Sequence, residues 1–579
     1  MDIRHSNNVI TFVYFFVILA LLIIFSRLFY LQVIKSEELR QKAESQQRKA
    51  INLAKKRGQI IDRNGNILAL DTKTISLYCY PKEYKEENGR IPYREMAEKI
   101  SKVIDEKVED IEKIIKSKTF KWIKRQMDIS YSDKIKQLKI PGINYQYESK
   151  RVYPKNELAA QVIGFTGIDN QGLSGIEQSF EKYLLSDKEE KIFTDALGME
   201  LLRKYAENPN TTENIKTNKL KITIDENIQY IAEREIKAGV EKFKAKRGLA
   251  IIMDLDNGDL LALASYPSFN PNEYSKYNWD ILKNWAITDI YEPGSTMKIF
   301  SIALALETGK LNINESVLCP GHIKVEGWLV HDHGVSYNQI RYLKPVDIIK
   351  TSSNIGTSIV TRRIPPTQHR NLLYKLGFGR TTELGLIGEV AGILPELPWR
   401  PSRQSTISFG QGISVTPIQM VTAMSAIPRK GIRIEPRIVK EVIDKNGKVI
   451  KTFKSKETRT LSEKVANQMK DLLTKVVEDE HGTGRGTRIK GYTIAGKTGT
   501  ADKVENGRYR GNVISSFLGF FPVENPKVIS FVLFDSPQTE HYASLTAVPV
   551  FKEIASNILT YLNIPPTKKE ELISTEVKN

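Results

Sequence analysis

Cysteine is nearly missing from this chain: Cys79 and Cys319 are the only two in 579 residues. So few thiols, so far apart, exclude a disulfide framework and any structural zinc site built from cysteines. Two unpaired, buried thiols are the expectation. Internal repeats and low-complexity tracts are absent as well, which excludes solenoid and fibrous architectures. The formal net charge is +18, yet no dense basic block exists. Lys and Arg run along the whole chain, mixed with Asp and Glu. With no zinc-finger spacing and no RNP-type aromatic motif, nucleic-acid binding is disfavoured. Attraction to anionic lipid or anionic wall polymers fits the charge as well. The glycine-rich HGTGRGTRIKG lacks the Lys-Ser/Thr of a phosphate-binding loop and reads as a flexible loop. No cofactor is implied.

Long apolar runs are also scarce. There is one, and it lies at the start. From Ser6 to Ser26 no residue is charged, and residues 9–26 are almost wholly apolar. Twenty-one helical residues span about 31 Å, the thickness of a bilayer core. The run ends in FSRLFYLQVIKS, with bulky side chains and no small-x-small cleavage site, so an uncleaved anchor is expected rather than a signal peptide. Positive charge flanks the run on both sides and leaves the positive-inside rule nearly silent. No second run of comparable length follows, so everything after the anchor is expected on one side of the membrane.

Hydrophobic residues at 40% and charged residues at 27% describe a folded protein, and this length calls for more than one domain. Residues 27–205 read as one mixed α/β block. Within it RGQIIDRNGNILAL predicts two short strands about a tight turn at Asn64-Gly65-Asn66. Residues 92–140 are Lys/Glu-rich with apolar positions at helical spacing and read as amphipathic helices. Residues 206–218 are polar, carry a proline and read as a linker. Residues 219–564 form a large α/β domain, in which GLAIIMDLDNGDLLALASY predicts a β-hairpin about the Asp256-Asn257-Gly258 turn. Residues 565–579 read as a solvated tail.

Chemistry enters at YEPGSTMKIF, Tyr291 to Phe300. Pro293 and Gly294 fit a turn, and the run that follows is a strongly apolar helix. Ser295 and Lys298 are spaced i, i+3 and share a helix face, so the amine can reach the hydroxyl. A serine at a helix start also meets unpaired backbone N–H groups that favour developing negative charge. The lysine serves as a base only when neutral, and burial or a second cation lowers its pKa. Alone, S-x-x-K is weak. Two further pieces follow in order: Ser352-Ser353-Asn354, an S-x-N element, and Lys497-Thr498-Gly499-Thr500, a K-T-G element.

With these three elements in sequence, the chain resembles the class B penicillin-binding proteins, the D,D-transpeptidases of peptidoglycan synthesis. The resemblance extends over nearly the whole chain. RGQIIDRNGNILA, RVYPKNELAAQVIGFTG with QGLSGIEQSFEKYLL, ITDIYEPGSTMK, LLYKLGFGR, ISFGQGISVTPIQM and IAGKTGTAD all look like family blocks, although Asn156 stands where glycine is expected. The forms EPGSTMK, SSN and KTGT are closest to the division-type, FtsI-like branch, with the elongation branch as the alternative.

The resemblance implies an α+β architecture. A single N-terminal transmembrane helix (9–26) would follow a short cytoplasmic N-terminus (1–8). A mixed α/β pedestal (27–205) and the linker would then lead to a penicillin-binding domain, an antiparallel sheet flanked by helices like that of the serine β-lactamases. It further implies Ser295 as the nucleophile toward a stem-peptide D-Ala-D-Ala and Lys298 as its base. Ser352 and Asn354 would relay protons and orient the donor. Lys497, Thr498 and Gly499 would hold the donor's carboxylate and backbone. The oxyanion hole would come from the N–H groups of Ser295 and Thr500. Implied partners are peptidoglycan stem peptides, β-lactams, a membrane glycan polymerase and division or elongation proteins. The implied location is the plasma membrane, with the catalytic domain outside the cytoplasm.

Related readings fit less well. A class A β-lactamase reads SDN and carries an E-x-x-L-N element, which is lacking between Asn354 and Lys497. A bifunctional enzyme would place a glycosyltransferase in residues 50–205, which do not resemble one. A β-lactam sensor or a scaffold that has kept the fold stays open as a non-catalytic alternative, although eight residues ahead of the anchor leave no room for a sensor's effector domain. His331-Asp332-His333 suggests a metal site, but two imidazoles and one carboxylate in a loop, without i, i+4 spacing, make a poor ligand set.

Overall fold

Ile60–Ile61 and Ile67–Cys79 pair antiparallel about the expected turn. The Asp62 carboxylate, fully buried, accepts the N–H groups of Asn64 and Asn66, each at 2.8 Å, and so fixes that turn from inside. The structure, a computed structural model, describes residues 17–19, 21–35, 49–52, 56–79, 92–117, 119–185, 191–194, 217–505 and 508–568.

The chain folds as two units, neither of them a single stretch. Residues 57–72 and 151–185 belong with the residues from 217 onward, while 73–150 build the other unit. The expected single block 27–205 is therefore divided. Backbone hydrogen bonds join the first segment to the residues from 217 onward, Leu220 N–H donating to the Gln59 carbonyl at 2.8 Å and Arg63 N–H to the Ile224 carbonyl at 3.0 Å, and a buried ionic cluster ties residues 57–71 to 151–181. Fully buried Glu177 accepts from Arg57 Nε at 2.5 Å, Arg151 Nε at 2.6 Å and the Tyr153 hydroxyl at 3.3 Å. Arg151 also pairs with Asp71 at 3.0 Å, and Arg57 with Glu181 at 3.1 Å. Arg57, Arg151 and Glu177 come from the N-terminal family-like blocks. Asn156, where glycine was expected, sits at φ 51°, a left-handed conformation that asparagine tolerates better than most residues.

In the smaller unit, the strand Ile67–Cys79 from Thr74 on pairs antiparallel with Lys121–Asp128. The strand Ile143–Val152 pairs with it as well. Ile75, Leu77 and Cys79, at the two-residue period of a strand, pack on Met96, Ile100, Ile104, Ile111 and Ile115. The last five lie on the helices Tyr93–Ile104 and Val108–Ile115, as the helical spacing predicts. KWIKRQMD is a strand inside the stretch read as helical. Only Met127 of it is buried, so alternation was too faint to read.

In the larger unit the elements that frame the site are, in chain order, α1 (Glu226–Phe243), β1 (Arg247–Asp254), β2 (Leu260–Tyr266), α2 (Lys298–Glu307), α3 (Asn354–Thr361), α4 (Glu463–Glu478), β3 (Ala495–Glu505), β4 (Arg508–Phe521), β5 (Val528–Asp535) and α5 (Ala547–Tyr561). The strands form one antiparallel sheet in the order β3-β4-β5-β1-β2. The β1–β2 hairpin turns at Gly258, as its sequence predicts.

Alternation gives the sheet two buried faces. Ala250, Ile252, Phe517 and Val532 meet α1 and α5 through Ile228, Ile236, Val240, Phe551 and Ile554. Leu249, Ile251, Met253 and Phe531 face the other way, into the core that takes in α2. Asp225 caps α1 by accepting from Asn227 and Ile228 N–H. Every residue of α2 from Lys298 to Leu306 is buried, a helix apolar all round and closed in by its neighbours. Lys298 is the exception in chemistry, not in burial.

Residues 1–16 and 20, among them half of the expected anchor, lie outside the described residues. Residues 17–19 and 21–29 are helical, with exposed side chains. Among the described residues no helix is long and apolar enough to cross a membrane. The expected linker lies outside the described residues up to 216, and so does the tail from 569. Within the expected tail, the N–H groups of Thr567 and Lys568 donate to the Gly491 carbonyl at 2.8 and 3.0 Å.

Candidate active site

Ser295 lies in a tight turn that two other segments hold in place. Tyr291 exchanges both backbone hydrogen bonds with Val415 at 2.9 Å, and Gly294 N–H donates to the Gly410 carbonyl at 3.1 Å. Gly294 has φ 55°, and a Cβ there would stand 2.7 Å from the Ala501 Cβ, so only glycine lets the turn lie against β3. Gly294–Met297 is a 3₁₀ turn that runs directly into α2. Thr296 Oγ1 donates to the Pro293 carbonyl at 2.7 Å and tightens it. Ser295 is half-buried, and among the described residues its hydroxyl makes no side-chain hydrogen bond.

One turn on, Lys298 is 1% exposed. Its amine was expected at the Ser295 hydroxyl. Instead it donates to the Ser352 carbonyl at 2.5 Å and to Ser352 Oγ at 3.1 Å. Ser352 has φ 60°, a left-handed conformation that costs a serine roughly 1–2 kcal/mol. That conformation ends the preceding helix and lets α3 begin two residues later. Ser353 caps α3 by accepting from Gly356 N–H at 2.9 Å. Asn354, partly exposed, donates through Nδ2 to the His331 carbonyl at 3.1 Å.

The third element arrives on β3, which lies at the edge of the sheet and among the described residues pairs only with β4. Lys497 is fully buried and donates to Ser352 Oγ at 3.1 Å, to the Thr498 carbonyl at 3.1 Å and to Thr498 Oγ1 at 3.3 Å. Gly499 lets the strand pass the serine turn closely: a Cβ there would lie 2.6 Å from Ser516 Oγ and 2.8 Å from Thr296 Cγ2. Thr500 is exposed, and its Oγ1 accepts from Ala543 N–H at 3.2 Å. Lys298, Ser352, Lys497 and Thr498 thus form one hydrogen-bonded cluster. Ser295 and Gly499 border it, and Asn354 stands beside it on α3.

Electrostatics sets the two amines apart from ordinary lysines. Burial, and then the charge of Lys497, push the Lys298 amine well below the usual lysine range, while Asp332 pulls weakly the other way. Burial alone brings Lys497 down to about 7. A neutral Lys298 beside a hydroxyl that a second amine also reaches is an arrangement for taking up and passing on protons.

Three residues of this neighbourhood escaped the sequence reading. Asp332 is buried and anchors the S-x-N turn from below. It accepts from the Ser353 hydroxyl at 2.5 Å, from Ile355 N–H at 3.0 Å and from the Arg341 guanidinium. Burial pushes the Asp332 carboxyl up, but these donors and Lys298 outweigh it and hold it below the usual range. Thr483 accepts from Thr498 Oγ1 at 2.9 Å, so the glycine-rich segment serves as a brace for the K-T-G strand. Ala543 holds Thr500. The sequence signal for Asp332 was visible but misleading, because His331-Asp332-His333 suggests ligands. In the fold the three side chains diverge: the His331 ring stacks on Tyr337, Asp332 turns inward and His333 meets Tyr542. Among the described residues no group of three or more potential ligand side chains is placed to hold a metal ion.

Known proteins share this architecture. Residues 248–556 match the model of the penicillin binding protein transpeptidase domain, and residues 53–217 that of the penicillin-binding protein dimerisation domain. The chain is 33% identical over 563 residues to a probable peptidoglycan D,D-transpeptidase PenA of Neisseria meningitidis, covering 96% of this chain and 93% of that one. It is 32% identical over 557 residues to the peptidoglycan D,D-transpeptidase FtsI of Escherichia coli, covering 95% and 91%. It is also 32% identical to the stage V sporulation protein D of Bacillus subtilis, covering 96% and 86%. Among solved structures, penicillin-binding protein 3 of Mycobacterium tuberculosis superposes with a TM-score of 0.68 at 24% identity, covering 89% of this chain and 98% of that one. The chain belongs to the penicillin-binding protein transpeptidase family.

Proposed function

We propose that this protein is a serine D,D-transpeptidase that cross-links peptidoglycan stem peptides, and that β-lactams acylate it as donor mimics. One observation carries the reading: three distant segments deliver Lys298, Ser352 and Lys497 to a single hydroxyl, with both amine contacts at 3.1 Å, beside the turn that presents Ser295. In this reading neutral Lys298 takes the Ser295 proton as the hydroxyl attacks the carbonyl of the penultimate D-alanine. The N–H groups of Ser295 and Thr500 stabilise the oxyanion, each worth about 3 kcal/mol in such sites. Lys298 and Ser352 then return the proton to the departing D-alanine. Asn354 orients the donor. Lys497 and Thr498 hold its terminal carboxylate, and the open edge of β3, with Gly499 at its centre, aligns the donor backbone as an added strand. An amine from a neighbouring stem attacks the acyl-enzyme, and the cross-link forms.

The rest of the chain fits the same assignment. Residues 1–8 are cytoplasmic, residues 9–26 anchor the protein in the plasma membrane with a single pass, and residues 27–205 hold the pedestal, of which 57–72 and 151–185 pack with the larger unit. After a linker at 206–218, residues 219–564 carry the chemistry outside the cytoplasm, and 565–579 form a tail. A membrane glycan polymerase supplies the strands. The EPGSTMK, SSN and KTGT forms favour a role in division. The test is intact-mass and peptide mass spectrometry of the full-length protein after penicillin treatment, with Ser295→Ala as the comparison. A single adduct on Ser295, lost in the variant, is expected, together with cross-linking of lipid-linked substrate supplied with a polymerase. An adduct elsewhere overturns the nucleophile. Acylation without any cross-linking overturns the transpeptidase and leaves a sensor.

A further inference from the structure

Arg247, the first residue of β1, joins two carboxylates that the mechanism above does not use. In the β1–β5 register it stands opposite Asp535, on the sheet face that carries Leu249 and Phe531 into the core around α2. Its Nε donates to Asp535 at 3.0 Å, and a second nitrogen of the same guanidinium donates to Asp289 at 2.7 Å. The ring of Trp285 packs against the guanidinium, 4.2 Å from ring centre to its carbon, and fixes the plane of the fork. Each carboxylate holds a second cation. Fully buried Asp535 accepts from Lys503 at 2.7 Å, and Asp289 pairs with Lys283 at 3.2 Å. Lys503 lies on β3, three positions after Thr500, and Asp289 lies six positions before Ser295. One ionic chain therefore runs from Lys503 through Asp535 and Arg247 to Asp289, on the segment that leads into the serine turn. Burial pushes both carboxyls up, but the hydrogen bonds and charges of these donors outweigh it and hold both below the usual range.

We propose that Arg247 is a positioning residue for acylation: it ties the serine turn to β3, so that the N–H groups of Ser295 and Thr500 stay within reach of one oxygen. This proposal rests on the transpeptidase reading. The direct contacts between turn and strand, Gly294 against Ala501 and Thr296 against Gly499, are steric. They set how near the two can come and do little against their parting. The ionic chain acts in the other direction, because widening the gap stretches a charge-assisted hydrogen bond at each link. Arg247 is the link that matters, since its rigid fork serves two acceptors at once, which a single ammonium on a flexible stem does not do at fixed angles. The side chains of Arg247, Asp289 and Lys503 are each about one-fifth exposed, so solvent screens these pairs and their share of stability is modest. The effect on alignment is the larger one, because a shift near 1 Å in a preorganised site costs up to about 100-fold in rate.

The test follows acylation of the full-length protein by benzylpenicillin, resolved into the dissociation constant of the first complex and the rate constant of acylation. Beside it stands the affinity for a boronic acid with the same side chain, whose adduct on the serine presents an oxygen to the two N–H groups as the reaction intermediate does. Arg247→Gln breaks both pairs. Asp289→Asn breaks one and keeps the shape, so it carries the test if the first variant does not fold. Each is expected to lower the acylation rate constant by about 10- to 100-fold and the boronate affinity by the same factor, with the first complex changed less than about twofold. Arg247→Lys keeps the charge but loses the fork, and should reach less than about a third of the wild-type rate constant. The double variant should be no slower than Arg247→Gln, because either change opens the chain. A rate constant within about threefold of wild type in both single variants overturns the proposal. So does a fall in rate that leaves boronate affinity unchanged, or full recovery in Arg247→Lys, which would make the residue a source of charge alone. A wild type that benzylpenicillin does not label overturns the enzymatic reading and this one together, whereas a labelled wild type with unaffected variants overturns only the role of Arg247.

Discussion

Gly499→Ala tests how closely the K-T-G strand must lie to the serine turn. The added methyl would stand 2.6 Å from Ser516 Oγ and 2.8 Å from Thr296 Cγ2, where ordinary contact begins at 3.4 Å. Neither neighbour yields easily. Thr296 is fully buried with its hydroxyl tied to the Pro293 carbonyl, and Ser516 is buried on β4 directly opposite Gly499. Relief therefore requires β3 and the turn to part by about 0.6 Å and the Ser516 hydroxyl on β4 to give way by about 0.8 Å, the gaps between those distances and ordinary contact. Overpacking of this kind costs roughly 1–3 kcal/mol of stability. The larger effect falls on geometry, because a displacement near 1 Å in a preorganised site costs up to about 100-fold in rate. The assay is the second-order acylation constant with a fluorescent penicillin, beside a thermal melt. Gly309→Ala is the control: its φ is 67° and nothing lies within 4 Å of the added methyl. It should lose about 1 kcal/mol of stability and no acylation rate. If Gly499→Ala acylates within threefold of wild type, the close approach is not what aligns the site.

Three other perturbations probe separate parts of the argument. Lys298→Arg replaces a neutral amine with a permanent cation beside Lys497, so acylation should fall by about 10²–10⁴-fold at all accessible pH. Wild-type acylation should itself decline on acidification as Lys298 takes up its proton; a flat pH profile would refute a lysine base. Glu177→Gln leaves two buried guanidiniums sharing Asp71 and the partly exposed Glu181, and should cost about 3–5 kcal/mol, read as a melting temperature lower by roughly 5–15 °C. A shift under 2 °C would refute the network's role. His369 is fully buried, packs edge-on against Trp399 and has no hydrogen-bond partner on either ring nitrogen among the described residues; burial lowers its pKa to about 4. The unfolded chain binds that proton near pH 6.5 and the folded chain only near 4, so stability falls as pH drops through this window, by about 3 kcal/mol in all. His369→Leu should flatten the loss of melting temperature between pH 7 and 5, and an unchanged slope would refute the assignment.

What the sequence disclosed and what it hid divide along a physical line. Local patterns came through. The Asp256-Asn257-Gly258 turn, the hairpin at Asn64-Gly65-Asn66 and the wholly apolar helix after Ser295 each depend on neighbours within a few positions. The three chemical elements were legible because each is short and has its own residue types, although nothing local shows that they meet. Long-range features stayed hidden. Asp332 reaches Ser353 across 21 positions, and Glu177 reaches Arg57 across 120, with no periodicity to mark either pair. The same buried cluster ties residues 57–71 to 151–181, and the pairing of Ile60–Ile61 with the strand Lys219–Ile222 joins them to the larger unit, a division that composition along the chain could not reveal. The strand Lys121–Asp128 was missed because its exposed lysines copy the pattern of the helices around it. The resting acceptors of the Lys298 amine were hidden for a related reason. Spacing along one helix pointed to Ser295, whereas the nearest acceptor came from a turn 54 positions away.

The two buried amines also fix how stability and ligand binding trade against pH. Lys497 titrates near 7 in the folded protein and near 10.5 in the unfolded chain. Between those values the unfolded state holds the extra proton, so stability rises with pH through that window and is at its lowest below it. The difference amounts to about 5 kcal/mol, a large fraction of what a domain of this kind possesses. An apolar residue of similar volume at 497 would relieve that cost, and the amine is therefore better explained by what it binds than by what it stabilises. A carboxylate placed between Lys497 and Thr498 favours the protonated amine and raises its pKa, so binding takes up a proton near neutral pH. Carboxylate ligands should accordingly bind more weakly as pH rises above about 7, in the direction opposite to the gain in fold stability. The same added charge on Lys497 pushes the proton off Lys298 more strongly, since repulsion from Lys497 already lowers it. The arrival of the donor's carboxylate thus readies the base at the hydroxyl that both amines share.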